Sequence, residues 1–255
     1  MSPGRQPAPG RRPPRRKGPG PVVFFGAAAG LILVVAAAVI VILMTGDDDG
    51  RAQTLDAVAM GRPAANGTSP SSYSSSPSSD VFVPIETRAR DGAPLTAAEL
   101  FPEKTLIDET AKTALTRRAV VLDGDCAKAM WGSGLGRVLR AGGCSQAGRA
   151  LYGDTAKGFA VTIGVFNLRD SEAADTAVAA FGAGTGGFVR PLPGKGALSK
   201  FGQGFSMARG VAMGHYVVIT WAQRTDGTGD ERSKPLLSLV LSAAKAEAIY
   251  ERAAA

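Results

Sequence analysis

Histidine is almost absent from this chain: His215 is the only one in 255 residues, and there are only two cysteines, Cys126 and Cys144. A zinc site takes three or four nitrogen, sulfur or carboxylate ligands, and two thiols with one distant imidazole do not supply them. Any mechanism that pairs a serine or cysteine nucleophile with histidine must run through His215. That residue follows Gly214 at an expected hairpin turn and reads as a solvated turn histidine. No G-x-S-x-G elbow occurs anywhere in the chain. Gly132-Ser133-Gly134-Leu135-Gly136 lacks the spacing of a dinucleotide loop, and Gly194-Lys195-Gly196 lacks the following hydroxyl residue and the preceding glycine of a phosphate loop. The sequence therefore carries no cofactor-binding, metal or catalytic signature.

A uniform positive charge is also missing, although the net charge is +7. The first 21 residues hold six basic side chains (Arg5, Arg11, Arg12, Arg15, Arg16, Lys17) and no acid. The remainder has 23 basic and 22 acidic residues, a net of +1. A balance this close to neutral has no electrostatic footprint for nucleic acid.

What the chain does have is one unbroken apolar run, Val22–Met44. At about 1.5 Å per helical residue it spans roughly 35 Å, enough for a hydrocarbon core of about 30 Å. A cleaved signal sequence has a shorter apolar core followed closely by a small-x-small site; the nearest such triplet, Ala57-Val58-Ala59, is too far downstream. The expected element is an uncleaved signal-anchor helix in the plasma membrane. The basic tail, residues 1–21, is placed in the cytoplasm by the positive-inside rule, and the remainder outside. Both run and tail would contact membrane lipid. Gly26 and Gly30 have the small-xxx-small spacing of a pairing membrane helix.

Residues 45–80 read as a Ser/Pro-rich extracytoplasmic linker. Ser69–Ser79 is nearly all serine and proline, offers nothing to bury, and has a composition that also fits O-glycosylation. As a flexible coil of about 35 residues it would reach roughly 30–35 Å.

Residues 81–255 are the expected folded domain, of the α+β class: an antiparallel sheet with helices packed on one face. Thr96 and Glu99 form a capping box, with Leu95 and Leu100 as its staple. A short helix is expected over Lys104–Ala114, a strand over Arg118–Leu122, and a helix over Cys126–Ala141 weakened by Gly132, Gly134 and Gly136. Ser145–Tyr152 and Gly158–Leu168 read as a hairpin, the second strand alternating large and small residues like a half-covered one. A helix capped at Asp170-Ser171 runs to Phe181, and a Gly- and Pro-rich loop spans Gly182–Gly204. A second hairpin pairs Phe205–Ala212 with Tyr216–Gln223. The last helix, Pro235–Arg252, would bury Leu237, Val240, Leu241, Ala244 and Ala248. Trp131 and Trp221 read as core. In an oxidising compartment Cys126 and Cys144 are expected to form a disulfide.

The basic Pro-rich tail, the anchor, the Ser/Pro linker and the two-cysteine domain, in a chain rich in Ala, Gly and Arg, together resemble uncharacterised actinobacterial single-pass membrane proteins. The resemblance covers the whole chain as architecture and implies no catalytic residue. The functional expectation is a non-enzymatic envelope module that binds a ligand, a polymer or a partner protein. The loop carrying Arg190, Lys195 and Lys200 is its candidate contact for an anionic envelope polymer. The alternatives are an envelope hydrolase using an unrecognised carboxylate or His215 site, and a sensor acting through a cytoplasmic partner of the tail.

Overall fold

A computed structural model describes residues 60–182, 186–244 and 246–255. The apolar run, the basic tail and linker residues 45–59 lie outside the described residues, as do Gly26 and Gly30. Among the described residues no helix is long and apolar enough to cross a membrane.

Seven strands build the main sheet: β1 (Ser72–Ser76), β2 (Thr105–Asp108), β3 (Thr113–Asp123), β5 (Gln146–Asp154), β6 (Phe159–Asn167), β8 (Ser206–Met213) and β9 (Tyr216–Arg224). Their order is β1-β8-β9-β6-β5-β3-β2, and every pairing is antiparallel except β1 with β8. A two-stranded ladder joins β4 (Met130–Trp131) to β7 (Phe188–Val189). The helices are α1 (Ala97–Leu100), α2 (Ser133–Ala141), α3 (Ser171–Gly182), α4 (Lys234–Ser242) and α5 (Glu247–Ala254). The α+β class thus stands, as a mostly antiparallel sheet with helices.

The helices do not share one face. One core gathers Leu135 and Leu139 of α2, Val178 and Phe181 of α3, and Phe188 of β7 against Phe166, Val217, Ile219 and Trp221. A second, on the opposite face, gathers Phe82, Ile85, Leu236 and Leu239 of α4 and Ile249 of α5 against Tyr152, Val161, Ile163, Val165 and Val218. All of β6 is consequently buried, not half-covered. Its small residues Ala160, Thr162 and Gly164 alternate with the large ones because bulky aromatics fill that side: Phe188 and Phe201 both stack edge-on against Trp221.

The Ser/Pro stretch is the largest departure from expectation. Ser72–Ser76 pairs in parallel with Met207–Val211 as an edge strand. The Tyr73 hydroxyl donates to the Val178 carbonyl at 2.7 Å, and its ring lies over Gly182. Met60 is buried, Gly61 N–H donates to Asp125 at 3.0 Å, and Trp131 Nε1–H donates to the Thr68 carbonyl at 2.9 Å. Serine suffices here because backbone pairing needs no large side chain, and one tyrosine provides the apolar contact. The folded chain therefore starts by Met60 and not at Val81. Only residues 45–59 separate it from the apolar run, so the greatest covalent reach of that segment is about 55 Å, at roughly 3.3–3.6 Å per residue.

Three helical expectations change for local reasons. Lys104–Ala114 is β2 and a turn: the Asp108 carboxylate accepts from Ala111 N–H at 2.7 Å, an Asx-type turn that competes with helix. The helix expected from Cys126 breaks because Gly132 has a φ of +94° and its Cα packs against the Gly186 carbonyl, where a Cβ would sit 1.8 Å from that oxygen. Only a 3₁₀ turn (Cys126–Ala129) precedes β4, and α2 begins at Ser133. The last helix splits into α4 and α5; Val240, Ala244 and Ala248 are buried as expected, but Leu236 and Leu239 take the place of Leu237 and Leu241, which are exposed. The hydroxyls of Ser238 and Ser242 set that rotation by donating to buried Asp108, at 2.9 and 2.8 Å to Oδ2.

Cys126 and Cys144 form the expected disulfide, 18 residues apart in sequence. It ties the 3₁₀ turn to the residues leading into β5. In the chain-entropy account a loop of this size contributes about 3 kcal/mol. The Cys126→Ala, Cys144→Ala protein should lose that amount of unfolding free energy, read as a lowered urea midpoint at unchanged slope. An unchanged midpoint would mean that the cross-link adds nothing the packed sulfurs do not.

Candidate functional site

Gly214 has a φ of +60°, as the first central residue of the two-residue β8–β9 turn requires, and His215 follows it. The turn does not project into solvent. The segment Asp80–Asp91 folds over it, and His215 N–H donates to the Ile85 carbonyl at 3.0 Å. His215 is completely buried, which corrects the expectation of a solvated turn histidine. Its Nδ1 lies 3.1 Å from Asn167 Oδ1 and 3.3 Å from the Leu168 carbonyl, and its Nε2 lies 3.3 Å from Asp91 Oδ2. Both ring nitrogens are occupied.

Asp91 is the hub. Its Oδ2 also accepts from the Tyr216 hydroxyl at 2.6 Å, and its Oδ1 pairs with Arg252 Nη1 at 2.6 Å. The Arg252 guanidinium forks onto Glu99, with Nε 2.5 Å from Oε1 and Nη2 3.0 Å from Oε2. Glu99 also closes the capping box of α1 with Thr96, as the sequence pattern predicts. Burial pulls the Asp91 carboxyl up, but the Tyr216 hydrogen bond and the Arg252 charge outweigh it, and its pKa falls below the ordinary value. Burial and the Asp91 carboxylate push the Tyr216 phenol up. The Glu99 bond holds Arg252 firmly protonated. The network fastens α5, α1 and the β8–β9 turn to the segment around Asp91.

Burial lowers the His215 pKa below its ordinary value, and the Asp91 hydrogen bond only partly offsets that. The unfolded chain then takes up a proton that the folded chain refuses, so His215 favours folding above its unfolded pKa of about 6.5 and that contribution is lost as pH falls below it. As the sole histidine, it should account for the change in urea midpoint between about pH 7 and pH 5. A flat profile there would show that the folded imidazole is protonated as easily as the free one. Asp91, Asp108, Asp154 and Asp170 all have lowered pKa values, so a second loss should follow below about pH 4, as pH drops through their folded values.

The second core holds a recess of about 140 Å³ where the chain breaks between α4 and α5. Leu100, Phe101, Leu106, Ile163 and Val165 line it with Ala243 and Ala246. Tyr152 on its wall turns its hydroxyl to the Glu103 carbonyl at 3.1 Å, and Glu103, Ser242 and Glu247 complete a mostly apolar lining.

Arg190, Lys195 and Lys200 are all exposed. Arg190 follows β7, its carbonyl accepting from buried Arg149 at 2.8 Å. Lys195 and Lys200 bracket a 3₁₀ turn, Gly196–Lys200. Among the described residues there is no group of three or more His, Cys, Asp or Glu side chains placed to hold a metal. Asp91, Asn167 and Arg252 escaped the sequence reading because their partners lie far along the chain: 124 residues separate Asp91 from His215, and 161 separate it from Arg252.

No family model matches the chain, and no curated protein or solved structure is significantly similar to it.

Proposed function

We propose that this chain is a membrane-anchored module of the cell envelope whose extracytoplasmic domain binds a partner and does not turn over a substrate. Val22–Met44 would lie in the plasma membrane with the basic tail inside, Gly26 and Gly30 forming a surface for helix pairing. The observation that carries the non-enzymatic part is the state of His215. A general base needs a nitrogen within reach of the proton it removes, and here both nitrogens are engaged by buried protein groups and the residue has no solvent exposure. The hydrolase alternative would have to rely on carboxylates alone.

The recess between α4 and α5 supports binding of a particular kind. At about 140 Å³ it is below the roughly 300 Å³ of a site for a whole small molecule, and its mostly apolar lining, with Glu103 and Glu247 beside it, suits a single side chain of a protein partner. The exposed cations Arg190, Lys195 and Lys200 would serve an anionic envelope polymer.

Two measurements test this function. Protease added to intact cells should digest the C-terminal domain, and full-length protein mixed with envelope polymer should release no soluble fragments. A protected domain would overturn the topology. Polymer release that disappears on substitution of an exposed acid would overturn the non-enzymatic reading.

A further inference from the structure

The positive charge of the folded chain is concentrated on one face. Residues 60–255 hold 22 basic and 18 acidic side chains, a net of +4. Arg62, Lys128, Arg137, Arg140 and Arg190 are all exposed and lie on segments bonded to one another. Arg140 Nη2 donates to the carbonyls of Met60 and Gly61 at 3.3 and 3.2 Å, Pro63 packs on Gly136 of α2, and Arg190 N–H donates to the Ala129 carbonyl at 2.8 Å. The acids nearby do not cancel them. Asp125 is turned inward, accepting from Gly61 and Ala127, while Asp123 pairs with Arg149 and Asp170 with Arg169. Five cations against Asp125 equal the whole net charge of the folded chain; the other 17 basic and 17 acidic residues balance.

Met60 is buried beneath this face, and residues 45–59 alone connect it to the apolar run. Half-buried Trp131 lies on the same face beside Gly67 and Thr68, and tryptophan is a residue type favoured at the boundary of a bilayer.

We propose that the surface formed by Met60–Thr68, Lys128, α2 and Arg190 docks on the anionic lipid headgroups of the membrane that anchors the chain. The inference rests on the membrane-anchored reading above and adds which face meets the lipid. Charge complementarity selects the occupant: clustered exposed Arg and Lys, beside which Asp123, Asp125 and Asp170 are already engaged, recognise a plane of phosphates, and the short connection, itself a net of −3 over residues 45–59, raises the local lipid concentration.

The test uses full-length protein in nanodiscs, made either of phosphatidylcholine alone or of phosphatidylcholine with phosphatidylglycerol, read by hydrogen exchange of residues 60–68 and 133–141. Exchange is expected to slow in the anionic discs by about fivefold for each charge brought to the surface, and the slowing should disappear at high salt. The Arg62→Glu, Lys128→Glu, Arg137→Glu protein should incorporate equally well and show no slowing. These three side chains are exposed and make no ion pair or hydrogen bond among the described residues, so its urea midpoint should match wild type. Equal exchange in both lipid compositions by properly incorporated protein would overturn the docking and leave the anchor standing. Slowing by soluble polyphosphate but not by anionic discs would overturn it in favour of a polymer partner. Protein that never incorporates would sink the anchored reading, and the docking with it.

Discussion

A chain shortened to begin at Val81 should lose most of its stability. Such a protein lacks β1, Tyr73, Met60 and the Thr68 carbonyl that holds the Trp131 indole. It exposes the β8 edge along Met207–Val211, where five residue pairs had been matched. Removing an aromatic side chain packed against a core costs about 3 kcal/mol or more, and the lost ladder and Met60 add to it. Against a total of about 5–15 kcal/mol for a domain, a loss above 5 kcal/mol leaves the shortened protein partly unfolded at room temperature. The exposed edge would also promote association. Urea denaturation and light scattering of proteins starting at Met60 and at Val81 provide the comparison. Matching midpoints would mean that the serine strand is a passive adornment of the edge. Tyr73→Ala alone should reproduce roughly half of the effect.

Arg252→Met should destabilise the protein by about 3 kcal/mol, the low end of the cost of breaking a nearly buried ion pair. The side chains of Arg252 and Asp91 are 12% and 10% exposed, so the Asp91 carboxylate is not readily rehydrated in place. The more open Glu99, at 28%, keeps the figure from being larger. For a domain of this size the thermal midpoint should fall by about 6–12 °C. Arg252→Lys should recover only part of this, since an ammonium cannot span Asp91, Glu99 and the Ala93 and Pro94 carbonyls as the planar fork does. A double-mutant cycle with Asp91→Asn should give a coupling above 1 kcal/mol. Additive losses would show that the two side chains stabilise their own surroundings independently. The Arg252 variant should also raise hydrogen exchange in α5 before that of β6 or β9, because the network fastens that helix from one end.

Much of the strand and hairpin pattern was legible because it rests on short-range chemistry. The β5–β6 and β8–β9 hairpins follow from alternating apolar residues between turn signals, and the α1 capping box from Thr96 and Glu99 three residues apart. The failures have a common cause. Gly132 ends a helical pattern because the Gly186 backbone crosses it, and the Ser/Pro stretch becomes a strand because β8 has a free edge to offer. The α4 stripe is rotated because Asp108 sits beside Ser238 and Ser242. None of these neighbours is near in sequence.

The candidate site divides in the same way. The disulfide was legible from a cysteine count and an expected compartment, whereas the Asp91 network was not. The fold alone brings His215, Tyr216 and Arg252 to Asp91.

By itself the sequence determined the scarcity of histidine and cysteine, the α+β class and the cysteine pair, since composition and periodicity of two or three to four residues are properties of the chain alone. Only the tertiary structure decided that the one histidine is sealed, that a serine-rich stretch is a strand, and that the net charge gathers on one face. Each of those depends on which distant segments meet, and burial, pairing and charge balance are set by neighbours in space.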